Sequence, residues 1–101
     1  MQTVIELSPF TRNWSSVWTE TEYSEFIEWI SANPKSGDVI KGSGGVRKIR
    51  WTGSGHGKRG GARVIFYSAE VDYVYLMTIY AKNKLVDISA KELKEIKDLI
   101  E

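Results

Sequence analysis

The chain has no cysteine, one histidine and two prolines in 101 residues. Without cysteine there is no disulfide framework, no thiol nucleophile and no thiolate metal site, which fits a reducing compartment. One histidine cannot make a zinc site unless carboxylates supply the other ligands. No metal and no cofactor are therefore expected. No apolar run approaches the roughly 18 residues of a membrane helix. The N-terminus has no basic stretch leading into an apolar one, so no secretory signal is expected and the cytoplasm is the expected location. A chain of this length is expected to form one domain, residues 1–101, around a modest core to which the twelve aromatic residues contribute much.

Acidic residues are missing too, but only locally. None lies between Asp38 and Glu70. Residues 1–40 carry six acids and two bases, residues 41–69 seven bases and no acid, and residues 70–101 seven acids and five bases. The net charge of +1 thus hides segments of −4, +7 and −2. Eight of the nine glycines, all but Gly37, fall between Ile40 and Tyr67. A basic, glycine-rich stretch between two strand-like runs points to a surface that approaches a polyanion.

The coarse structure is readable from periodicity. Thr3 to Leu7 is β-rich. Ser8-Pro9 opens a helix, with Ser8 as N-cap, and Phe10, Trp14, Val17 and Trp18 fall on one of its faces. Thr19 with Glu22 forms a capping-box pattern before a second helix, whose apolar residues are Tyr23, Phe26, Ile27 and Ile30. Asn33-Pro34 stops it. The spacing predicts strands over 46–51, 63–68 and 73–82, then a last helix capped by Ser89 and Glu92, with Leu93, Ile96, Leu99 and Ile100 on its apolar side. The expected fold is α+β: two N-terminal helices, an antiparallel sheet and a C-terminal helix, with the helices on one face of the sheet. Strand alternation puts Lys48 and Arg50 on one face and Arg47, Ile49 and Trp51 on the other. It puts Arg63 with Ile65 and Tyr67, and Thr78 and Tyr80 with Lys82, opposed to Met77 and Ile79. Lys48, Arg50, Arg63 and Lys82 are thereby able to converge on one side.

Several motifs have plain readings. Gly53-x3-Gly57-Lys58 is one residue short of a phosphate-binding loop, Arg59 stands where Ser or Thr is needed, and a strand follows where a helix should. A nucleotide triphosphatase is thus disfavoured, and a basic loop tracking an RNA backbone is preferred. His56, flanked by glycines, reads first as a solvated loop residue, with RNA contact or proton transfer as the alternative. No nucleophile-elbow pattern is present. Glu20, Glu22, Glu25 and Glu28 read as the solvated side of a helix, and the aromatic stripes of the two helices read as core.

Three blocks taken together resemble the RelE/HigB superfamily of bacterial toxins, with the HigB branch nearest: NPKSGDVIKGSGGVRKIR from Asn33, GKRGGARVIFY from Gly57 and LMTIYAKNK from Leu76. The resemblance runs from about residue 20 into the last helix. It implies a microbial-RNase-like α+β fold, metal-independent cleavage of mRNA at the ribosome, and neutralisation by a cognate, DNA-binding antitoxin. It places catalytic residues at Lys48, Arg50, Arg63 and Lys82, with Lys84 as the substitute for Lys82, while the basic stretch itself suggests RNA or ribosome contacts at Lys41, Arg47, His56, Lys58 and Arg59, to which Lys84 is added. Several relatives carry an assisting tyrosine near the C-terminus, and this chain has none after Tyr80, which leaves the general base open. A non-catalytic RNA- or ribosome-binding module is the alternative from another class.

Overall fold

A computed structural model describes residues 2–51, 61–69, 72–81 and 88–100. The elements are β1 (Thr3–Glu6), α1 (Ser8–Val17), α2 (Glu20–Ala32), β2 (Asp38–Val39), β3 (Arg47–Trp51), β4 (Ala62–Ser68), β5 (Tyr73–Ala81) and α3 (Ala90–Ile100). The five strands form one sheet in the order β1-β5-β4-β3-β2. The architecture is α+β as expected, but the sheet is mixed. β1 runs parallel to β5, while the other three pairings are antiparallel. A parallel neighbour needs a crossover of a dozen or more residues, and α1 and α2 lie on the path from β1 to the rest of the sheet.

Local chemistry sets the two N-terminal helices. α1 starts one residue earlier than Ser8 capping would give: Leu7 is the N-cap, without a side-chain hydrogen bond, and Pro9 sits in the first turn. α2 has the full capping box. Glu22 N–H donates to Thr19 Oγ1 at 3.1 Å, and Thr19 N–H donates to Glu22 Oε1 at 2.8 Å. Glu6, at the end of β1, ties both helices down. Its carboxylate accepts from Thr11 Oγ1 at 2.9 Å and from the Tyr23 hydroxyl. Trp14 stacks on the Tyr23 ring with centroids 4.0 Å apart. Burial, and then the neighbouring Glu6 carboxylate, push the Tyr23 phenol up to about 12.

The helices do not share one face of the sheet. α1 and α2 cover one side, where Phe10, Trp18, Phe26 and Ile30 meet Val64, Phe66, Val74, Leu76 and Ile79. α3 covers the other, where Leu93 packs with Val46, Ile65 and Met77. Of the apolar side chains expected along α3, only Leu93 is buried. Ile96 is 36% and Leu99 88% exposed. Ser89 and Glu92 cap this helix reciprocally, and the hydrogen bonds from Ser89 hold the Glu92 carboxyl below its usual range.

Met77 is also not where alternation puts it. Ile65 pairs with Thr78 but Phe66 pairs with Leu76, so β5 carries one extra residue opposite β4. This bulge turns Met77 onto the α3 side while Ile79 stays on the other. It also inverts the parity of the strand. Tyr75 pairs with Tyr67 before the bulge and Tyr80 pairs with Arg63 after it, so both tyrosines face α3 although five residues separate them.

Candidate functional site

The α3 side of the sheet carries a row of side chains that the register fixes. Arg50 on β3 pairs with Arg63 on β4, and Arg63 pairs with Tyr80 on β5. Direct partners in an antiparallel ladder have Cα atoms about 4.5–5.5 Å apart and side chains on the same face. The next pairing inward is Lys48, Ile65 and Thr78, and Asp38 on β2 pairs with Lys48. Lys48 and Arg50 are exposed, while Arg63 and Tyr80 are half-buried. Two arginines on directly paired positions repel, which a sheet built only for stability would avoid. The arrangement gives two guanidinium groups and one ammonium on one face, with a phenol at the end of the row. Guanidinium groups offer paired donors matched to phosphate oxygens.

The expected site residues fall into three groups. Lys48, Arg50 and Arg63 come together as their alternation predicts. Arg47 lies on the opposite parity, and its Nη1 donates to the carbonyl oxygens of Lys35 at 2.9 Å and Ser36 at 3.4 Å. It thereby fastens the chain leaving α2. Lys41 is exposed in the turn between β2 and β3. Lys82, His56, Lys58, Arg59 and Lys84 lie outside the described residues.

Two features of the site were missed in the sequence. Tyr80 joins the arginine row directly, and its common face with Arg63 was open to alternation. The glycine-rich turn before β3 has an internal anchor: Ser43 is fully buried, its Oγ donates to the Ile40 carbonyl at 2.6 Å, and it accepts from Val46 N–H at 3.0 Å. A serine among glycines gives no pattern that announces this. Among the described residues, no three His, Asp or Glu side chains gather in a group able to hold a metal ion. No described helix is long and apolar enough to cross a membrane.

Residues 19–101 match the family model described as the RelE toxin of the RelE/RelB toxin–antitoxin system. The match begins at Thr19, the cap of α2, and takes in all of the arginine row and α3. The chain belongs to the RelE toxin family, the toxin partner of a toxin–antitoxin pair.

Proposed function

We propose that the whole chain, residues 1–101, is one toxin domain that cuts mRNA on the ribosome and so inhibits translation, and that it stands nearest the HigB branch. It would act in the cytoplasm, where mRNA is translated. The observation that carries this reading is the row Arg50, Arg63 and Tyr80 on the α3 face, with Lys48 one pairing further in.

Cleavage without a metal uses the 2′-hydroxyl as nucleophile on the adjacent phosphorus. A new P–O2′ bond forms, the P–O5′ bond breaks, the 2′ proton passes to water and the 5′-oxygen gains a proton from the protein. Arg63, central in the row, binds the phosphorane oxygens as negative charge gathers on them. Arg50 and Lys48 hold the flanking charge and set the phosphate in line. Tyr80, beside Arg63, is placed to deliver its phenolic proton to the leaving 5′-oxygen. Lys82, next but one to Tyr80 in sequence, is assigned to the same phosphate, and Lys41, His56, Lys58, Arg59 and Lys84 to ribosome and RNA contacts. A ribosome that supplies part of the alignment would leave only weak cleavage of free RNA. Neutralisation would come from a cognate, DNA-binding antitoxin. The exposed Ile96 and Leu99 offer it apolar surface.

The test is mapping of cut sites on an mRNA in a translating extract, beside the same mRNA free of ribosomes. Discrete cuts that appear with the protein only when ribosomes translate support the reading. Binding to ribosomes with no cuts would favour a non-catalytic ribosome-binding module instead.

A further inference from the structure

We propose that the cleft where β3 begins and β4 ends is a second phosphate subsite, one that holds the RNA backbone away from the bond being cut. The inference rests on the RNA substrate proposed above. The cleft measures about 330 Å³, and Lys35, Gly44, Gly45, Arg47, Tyr67 and Ser68 line it. None of the described residues that line it is acidic. Ser68 is only 8% exposed, and its Oγ has no hydrogen-bond partner among the described residues. Ser68 pairs with Val74, so its hydroxyl lies beneath the cleft on the α1/α2 side, and the charge of the cleft comes from Lys35 and Arg47. Gly44 adopts φ 79°, and a Cβ there would lie 3.2 Å from Lys97 Nζ. Glycine thus lets Lys97, paired with Asp98 at 3.3 Å and lying over the Tyr67 ring, close on the rim. Arg47 uses Nη1 to hold two carbonyl oxygens, and a guanidinium carries five N–H groups.

The ligand chemistry is a phosphate group, and the surroundings favour a nucleic acid over an acidic peptide. Tyr67 lines the cleft, Tyr75 is its cross-strand partner, and Tyr73 follows on the same face with 45% of its surface exposed. The rings of Tyr73 and Tyr75 are 6.3 Å apart. Aromatic faces beside a cationic cleft suit the unstacked bases of single-stranded RNA. Tyr67 lies four residues along β4 from Arg63, about 13 Å at roughly 3.3 Å per residue. The cleft therefore takes a different phosphate from the one at the arginine row.

The test uses isotope-labelled Arg63→Ala protein, so that RNA survives the titration. Inorganic phosphate, a short single-stranded oligoribonucleotide and an acidic peptide are added in separate NMR titrations. The expected result is saturable movement of the Gly44, Gly45 and Ser68 amides with phosphate and with RNA, and none with the peptide. Lys35→Ala should weaken RNA binding about threefold, the scale of one solvent-exposed charge contact. Lys35→Glu, a change at an exposed position, should also lower the salt slope by about 0.7, the single-strand value for one phosphate contact. Amides that stay still, variants that bind RNA like the parent, movement with phosphate alone, or movement with the peptide in place of RNA would each overturn the proposal. Absence of cleavage by the wild-type protein in a translating extract would remove the endonuclease reading and leave this binding test standing.

Discussion

The two faces of the sheet divide the labour of the fold. The face under α1 and α2 is closed and aromatic: Phe10, Phe26 and Phe66 are fully buried there, and Trp29 and Trp51 pack beside them. The face toward α3 has a smaller core of Val46, Ile65, Met77 and Leu93, and its other strand positions include Lys48 with Asp38 beside it, Arg50, Arg63, Thr78 and the tyrosines. One strand serves both. In β3, Ile49 and Trp51 feed the aromatic core while Lys48 and Arg50 stand on the other side. Burial is concentrated on the face away from the proposed chemistry. A cationic row can be tolerated on one face because the opposite face supplies the burial that holds the same backbone in place.

Substitutions on the closed face should cost the most stability. Phe26→Ala removes a ring in contact with Trp18, Trp29 and Trp51 and should destabilise by about 4 kcal/mol, within the usual range for a buried aromatic. Urea unfolding reads this, and a loss near 1 kcal/mol would mean that the aromatic face is not the main support. Tyr23→Phe should cost about 1.5 kcal/mol, at the low end for a hydrogen bond to a charged group because the pair is partly exposed. It also carries a pH signature. The folded protein favours the neutral phenol, so the contribution of Tyr23 is fully present below pH 10 and is lost as pH rises toward 12. Unfolding free energies compared at pH 8 and pH 11 should show the wild type losing its advantage over Tyr23→Phe. Thr19→Ala, which breaks the α2 capping box, should cost about 1 kcal/mol in the same urea assay.

The cationic face should respond with the opposite sign. Arg50→Thr relieves a like-charge pair with Arg63 and introduces a β-former. It should leave stability unchanged or raise it by about 0.5 kcal/mol, while cleavage falls. A thermal melt with a parallel cleavage assay checks both halves. A clear loss of stability would mean that Arg50 is structural.

How far the sequence reveals this follows from which interactions are local. The capping boxes at Thr19 and Ser89 lie within three residues and were legible, as were the stop at Asn33 and the parity of Lys48, Arg50 and Arg63. The partner of β1 was not, because pairing with β5 joins residues some seventy positions apart and leaves no local trace. Nor was the side of the sheet that α3 covers, since its apolar stripe reads the same on either face. The bulge at Met77 was hidden for a related reason. YVYLMTIYA is apolar or aromatic at every position but Thr78, so no parity stands out, and only the pairing with Ile65 and Phe66 shows the extra residue. That single slip brings Tyr80 beside Arg63 while keeping Tyr75 beside Tyr67. Arg47 lies in the same basic run, and its parity already separates it from Lys48 and Arg50, so any RNA contact it makes lies away from the arginine row.

The claim that the cationic face performs the cleavage is tested most directly by comparing one arginine from each side. Arg63 sits in the row, and Arg12 is exposed on α1, which covers the other face. Both alanine variants would be assayed for mRNA cutting in a translating extract, with ribosome co-sedimentation as the binding control. Arg63→Ala should cut on the order of a hundred- to thousandfold more slowly, the loss expected when one donor to a transition-state oxyanion is removed, while still sedimenting with ribosomes. Arg12→Ala should cut like the wild type. If Arg63→Ala cuts as fast as the wild type, or if the wild type binds ribosomes and never cuts, the assignment of the active face is wrong.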